Sequence, residues 1–262
     1  TIIVGACDYP AAIVHKSHDD TAEGMMANPI GTGPYKPESM EVGVKAVLVR
    51  NDGHTWWNKG NGAYLDRIEL IDYGTDPAAF VAAAEGGEID MVHQTTGDFV
   101  EVFDSLGTWE KSEVVTASTL VIRTNQEAEV DGKKVYADVR VRKALAMAVD
   151  NSVVLELGYA GLGTVAENHH VCPIHPEYAK LPPLKVDKAA AKALMKEAGM
   201  LDFEHDIISI DDDWRKNSTD AVAAQLREAG FKVKRTVLPG STYWNDWAKY
   251  PFSSTNWNQR PL

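Results

Sequence analysis

HDIISIDDDWRKNSTDAVAAQLREAGFKVKRTVL, residues His205–Leu238, reads as a strand, a helix and a second strand in that order. HDIISID (His205–Asp211) is a short run rich in isoleucine, and FKVKRTVL (Phe231–Leu238) alternates apolar with polar or charged residues at the period of a half-buried strand. Between them, DAVAAQLREAG is rich in helix formers and closes on Gly230, a residue that takes the left-handed conformation at a helix end without a Cβ clash. Ser218 or Thr219 is the expected cap. Two strands joined through a helix pair in parallel by a right-handed crossover, so this stretch sets an α/β fold.

The same grammar extends outward. Asp187 is placed to cap KAAAKALMKEAG, and Asp138 to cap VRVRKALAMAV, whose apolar residues recur at helical spacing. Gly161-Leu-Gly163 ends the short helix between them, and residues 164–186, with four prolines, read as a long surface loop. STLVIRTN (Ser118–Asn125) is a β-rich run, and EVDGKKVY (Glu129–Tyr136) carries an Asp-Gly turn. Nearer the front, Tyr64–Tyr73 reads as a strand. Asp76-Pro77 starts a helix that runs through AAFVAAAEGG, and EIDMVHQ (Glu88–Gln94) reads as the next strand. VGVKAVLVRN (Val42–Asn51) is another strand, and NPIGTGPYKPE is punctuated too densely by Gly and Pro for regular structure. TIIVGA (Thr1–Ala6) suggests a strand and PAAIVHK (Pro10–Lys16) a short helix or strand; an aromatic tail closes the chain.

At 262 residues there is enough chain for one large or two small domains. A net charge of −12 argues against binding nucleic acid, which needs a basic face, and against docking on anionic lipid. No apolar run reaches the length of a membrane span, and no secretory leader stands at the front. The two cysteines, Cys7 and Cys172, allow a disulfide or two buried thiols.

Few residues suggest chemistry. GTG (Gly31–Gly33) lacks the Lys-Ser/Thr of a phosphate loop and reads as a turn. His169, His170, Cys172 and His175 form the one metal-like cluster, in a proline-broken loop with no second cluster to complete a site; His15, His18, Asp19 and Asp20 are weaker still. No nucleophile elbow is present, and the run Asp211–Asp213 reads as a solvated loop. Of the seven tryptophans, three lie in 244–257. Trp244 and Trp247 read as core packing; the aromatic tail as a whole, which also holds Trp257, is the best candidate for a ligand contact, with Asn256 and Asn125 as weaker polar candidates.

Five segments carry a resemblance: NPIGTGPY (Asn28–Tyr35), the strand ending VLVRNDGHTWW (Val47–Trp57), YLDRIELI (Tyr64–Ile71), the helix closing on EGGEIDMV (Glu85–Val92) and DVRVRKALAMAVD (Asp138–Asp150). In this order and spacing they resemble the large solute-binding proteins of peptide-type ABC importers, an extracytoplasmic family that captures oligopeptides, dipeptides, opines or nickel chelates. The resemblance covers nearly the whole chain and implies a binding protein, with no catalytic residue, cofactor or resident metal. It implies a partial type II periplasmic-binding-protein-like fold of two lobes: a strand-rich partial lobe I in residues 1–117, and a nearly continuous α/β lobe II in 118–262.

By the same resemblance, the chain corresponds to about the middle half of a family member, so its inter-lobe cleft is expected to be incomplete and its own solute binding weak. A periplasmic or extracytoplasmic location, a monomeric state and delivery of solute to an ABC permease follow from the family. Peptide-binding members place a cleft tryptophan where Trp257 stands, and an acidic residue a few positions on that holds a peptide amino terminus. Arg260 occupies that place here; a guanidinium clamps a carboxylate and so favours an anionic solute such as an opine, or else pairs with a carboxylate of its own lobe. The alternatives are a metallophore- or nickel-binding member, and a metal-dependent hydrolase using His169–His175.

Overall fold

The computed structural model describes residues 15–17, 28–58, 60–116, 118–169, 171–183 and 185–257. TIIVGA and Cys7 lie outside them. The chain divides into two compact units, one up to Gly74 and one from Thr75. That division marks where packing is sparse; it does not bear on where one lobe passes into the other, which we place at residue 117 as a proposal.

The first unit is an antiparallel meander of β1 (Tyr35–Glu41), β2 (Lys45–Arg50) and β3 (Arg67–Ile71). β2 and β3 fall inside the runs read as strands. β1 does not: its proline-rich sequence suggested a loop. It forms because Pro37 sits on an edge strand, where a missing N–H costs no ladder bond, and because the register shifts between Pro37 and Ser39. Val47, at the centre of β2, is buried.

The second unit begins with α1 (Pro77–Glu85), capped by the Asp76 side chain with Pro77 in its first turn, and α2 (Phe99–Ser105). EIDMVHQ between them is not a strand. A strand exists through its ladder, and no described strand pairs with this segment, so its β-like composition is not expressed. The expected first strand–helix–strand unit is therefore absent.

From Thr119 to Leu238 the strands and helices read from the sequence form. β4 (Thr119–Thr124) is followed by an Asp131-Gly132 turn, both residues at positive φ, closed by the Val130–Lys133 bridge. A 3-10 turn (Val135–Ala137) leads into α3 (Val139–Met147), capped by Asp138, and α4 (Asn151–Tyr159), capped by Asp150. α5 (Lys188–Glu197) is capped by Asp187. Then come β5 (Glu204–Ile210), α6 (Asp213–Glu228), β6 (Lys232–Leu238), α7 (Gly240–Asp246) and β7 (Phe252–Trp257). The sheet order is β4-β7-β5-β6; β5 runs parallel to β6 and β7, and β4 runs against β7. This is the mixed α/β sheet expected.

Side chains alternate across a strand, so the register assigns each residue a face. His205, Ile207 and Ser209 of β5 share a face with Phe252, Ser254 and Asn256 of β7 and Ile122 of β4. That face carries the core: Ile207 and Phe252 pack with Val141 and Leu145 of α3, Met195 of α5 and Leu226 of α6. On the opposite face lie Ser253, Thr255 and Trp257, with Arg123 of β4. Helices α4 and α6 cross closely at Gly158, where a Cβ would fall 2.0 Å from Ser218 Oγ. Only glycine fits there, and the contact fixes where α6 lies.

Candidate functional site

The parallel strands β5, β6 and β7 all end at one edge of the sheet, with Ile210, Leu238 and Trp257. The antiparallel β4 begins there, Thr119 opposite Trp257. In open α/β sheets the carboxyl ends of parallel strands are where ligands bind, because the loops leaving them diverge and open a crevice. β7 delivers two of the expected residues to this edge. As neighbours in a strand, Asn256 and Trp257 point to opposite faces.

On the core face, Asn256 meets the start of α6. Asp212 caps this helix, accepting from the Arg215 amide, and its carboxylate also pairs with the Arg215 guanidinium. Arg215 Nε donates to Asn256 Oδ1 at 2.8 Å, and the guanidinium lies 4.6 Å from the Trp214 ring centroid. Tyr159, at the end of α4, meets Trp214 edge-on at 5.4 Å, and its hydroxyl accepts from Gln94 at 3.0 Å. Both Asp212 and Arg215 are largely buried. Burial pushes the Asp212 carboxyl above its usual range, while the positive charge of Arg215 pulls it back. Deeper in, Thr219 Oγ1 bridges Ser254 Oγ, at 2.6 Å, and the Arg215 carbonyl. Asn256 is thus tied to one charge-compensated hydrogen-bond network.

On the other face, Trp257 meets Trp247 at 6.2 Å, and Trp247 meets Trp244 at 6.4 Å, both edge-on. Arg123 lies 4.6 Å from the Trp247 ring centroid and donates to the Trp247 carbonyl. Among the described residues it forms no ion pair with a carboxylate. Tyr243 of α7 is fully buried, and its hydroxyl donates to the Ser254 carbonyl.

Several expectations need correcting. Trp244 is not core: it is 45% exposed, and Tyr243 fills the interior place instead. Helix α6 starts at Asp213 with Asp212 as cap, so neither Ser218 nor Thr219 is a cap; both are buried inside the helix. Asp211–Asp213 is not simply a solvated loop, since Asp212 holds the first turn of α6 together.

Asn125 stands at the far end of β4, about 20 Å from Thr119 by strand rise. Its amide donates to the Ala248 carbonyl and accepts from the Glu127 amide, fastening two turns; the fold does not bring it to Asn256 and Trp257. Arg260, His18, Asp19, Asp20 and His170 lie outside the described residues. His175 Nδ1 accepts from the Cys172 amide and lies 3.3 Å from that free thiol, and His169 Nε2 lies 3.5 Å from Glu167. Among the described residues no three His, Cys, Asp or Glu side chains converge as a metal site would require.

Sequence reasoning missed Trp214, Arg215, Tyr159 and Gln94. The available signal was Asp212 and Arg215, three apart immediately after an apolar strand, the spacing of a cap and a cation on one helical turn.

Residues 3–262 match the sequence model of the family described as bacterial extracellular solute-binding proteins, family 5 Middle. The nickel-binding periplasmic protein of Escherichia coli is 27% identical over 187 residues, 70% of this chain and 34% of that protein. Helicobacter pylori DppA, solved in complex with the peptide STSA, aligns with a TM-score of 0.71 at 21% identity, over 88% of this chain and 44% of that one. AgaA of Agrobacterium tumefaciens, in complex with agropinic acid, aligns with a TM-score of 0.71 at 20% identity, over 88% and 47%. The fold is thus that of the periplasmic solute-binding proteins. The chain spans about a third of that curated relative's length and about half that of the solved structures.

Proposed function

We propose that this chain, which belongs to the bacterial extracellular solute-binding proteins of family 5, supplies one wall of a cleft that captures a small peptide-like or opine-like solute for an ABC permease. The family is one of substrate-binding proteins of extracytoplasmic importers, not of enzymes. The observation that carries the reading is the end of β7, where Asn256 and Trp257 reach the carboxyl edge of the sheet together. Trp257 offers rigid apolar area and Asn256 a polar contact held by Arg215, the pairing of broad contact and few oriented polar groups that small-molecule sites use. Capture rests on desolvation and hydrogen bonding, with no bond made or broken. Closure of the lobes about the solute, the hinge motion common to such folds, presents it to the permease.

Arg215 is already neutralised by Asp212, so it adds no free positive charge at the edge. Selectivity for an anionic solute therefore rests on Arg260, acting as a carboxylate clamp. We propose that the protein acts as a monomer outside the cytoplasm and performs no catalysis. A second reading, capture of a metal chelate, is favoured by the likeness to the nickel-binding protein of Escherichia coli. The aromatic and amide groups at the edge would then meet the chelator.

The test is a thermal-shift panel of tetrapeptides, opines, acidic amino acids and nickel–histidine. It compares this chain with a version extended at both ends to the length of the relatives. Stabilisation of the extended form by an opine or peptide, abolished by Trp257→Ala, is the expected result. Stabilisation by nickel–histidine alone selects the chelate reading. No response by the extended form to any solute overturns the proposal.

A further inference from the structure

His205 is the least expected residue of the second unit. Histidine titrates near neutral pH, yet this one sits in the second position of β5 with no solvent exposure. Aromatic rings surround it: Phe203 at 5.0 Å, Tyr136 at 5.8 Å, Phe252 at 6.2 Å and Phe231 at 6.4 Å. The Tyr136 hydroxyl lies 3.1 Å from Nδ1, and the tautomer of the ring sets which of the two donates. Nε2 is buried and has no hydrogen-bond partner among the described residues.

Among the described residues no carboxylate pairs with the ring. The 3-10 turn presents the Tyr136 phenol, held neutral by burial and, secondarily, by the Asp206 carboxylate. The chain ahead of β5, the chain ahead of β6, and β7 present Phe203, Phe231 and Phe252. Asp206, next in β5, faces the other side of the sheet, where its Oδ2 accepts from Lys234 Nζ at 2.8 Å and Thr236 Oγ1 at 3.0 Å. Arg142 of α3 donates to the Tyr136 carbonyl, not to the imidazole. A proton added to the ring would be a charge in an apolar box, with its Nε2–H unpaired.

We infer that His205 is an acid-sensitive lock: the second unit, with the carboxyl edge of its sheet, is held most tightly while this imidazole is neutral, and acidification loosens it. The lock stands whichever solute the edge holds. Burial lowers the imidazole pKa to about 4 from its usual 6.5. Between those values the unfolded chain binds a proton that the folded chain does not, so stability is full above pH 6.5 and falls as pH drops toward 4. The lock operates in the range that an acidified exterior reaches, and β5 and β7, which pack the ring, also build the solute edge.

The test follows urea unfolding of this chain by tryptophan fluorescence from pH 7.5 to 4.5, for the native sequence and for His205→Phe and His205→Gln. At pH 5 the native unfolding constant should exceed its pH 7.5 value by about 30-fold more than that of a variant that folds. Alongside, the His205 ring resonance in the folded native protein should hold still between pH 7.5 and 5. This second readout decides the matter even if both variants fail to fold. A ring that titrates near pH 6.5 in the native protein, or a folded variant as acid-sensitive as the native chain, overturns the inference.

Discussion

The two sides of β7 at the sheet edge are built in opposite ways. On the Asn256 side every group is committed: Asp212 caps α6 and neutralises Arg215, Arg215 holds Asn256, and Thr219 ties the helix to Ser254. On the Trp257 side contacts are broad and aromatic, Trp244 is partly exposed, and Arg123 rests on a ring and a carbonyl. Directional bonds fix a geometry, whereas edge-on ring contacts tolerate small shifts at little cost. The lesson is that one strand end can offer a solute a fixed polar contact and an adaptable apolar one, because successive residues of a strand face opposite ways.

The largest way to break this contrast is to displace α6. Gly158→Val drives a side chain into Ser218 and is expected to cost about 3 kcal/mol or more, measured by urea unfolding. Next, Asp212→Ala removes the cap and leaves the Arg215 guanidinium largely buried without its partner. A loss of about 2–3 kcal/mol is expected, reduced in the double variant Asp212→Ala/Arg215→Met. A double variant no more stable than the single one would show that the pair is not a unit. On the aromatic side, Trp247→Ala should cost about 2 kcal/mol, because half-buried contacts with Trp257 and Arg123 go together. Smallest, Arg123→Met keeps the apolar contact and loses the charge over the ring, for about 1 kcal/mol in the same assay. If Arg123→Met proved as costly as Asp212→Ala, the two sides would be equally fixed and the contrast would fail.

How much of this was legible depends on whether the signal is local. Asp76, Asp138 and Asp187 announce their helices because a cap is a contact within three residues, and all three caps form. The parallel pairing of His205–Ile210 with Lys232–Leu238 was legible because the connecting helix enforces it. What could not be read locally depended on partners distant in sequence. Glu88–Gln94 has strand composition but no strand beside it, whereas Tyr35–Glu41 becomes a strand despite Pro37 because β2 lies alongside. At the edge, Trp257 and Asn256 were visible as residue types. Their separation onto two faces, and the commitment of Asn256 to Arg215, arise from the β4–β7 register and the start of α6, which no short window contains. Asn125 looked equivalent to Asn256 in sequence, yet it fastens turns at the opposite edge of the sheet.

That last pair offers the most direct test of the proposed solute edge. Affinity for a solute identified by the thermal-shift panel would be measured by calorimetry in the extended form, for the native sequence and for Asn256→Ala, Trp257→Ala and Asn125→Ala. The account predicts at least about tenfold weaker binding for the first two, the loss of roughly 1.4 kcal/mol of contact, and unchanged affinity for Asn125→Ala. Unchanged affinity in both Asn256→Ala and Trp257→Ala, or a loss in Asn125→Ala as large as theirs, would contradict the assignment of solute contact to the carboxyl end of β7.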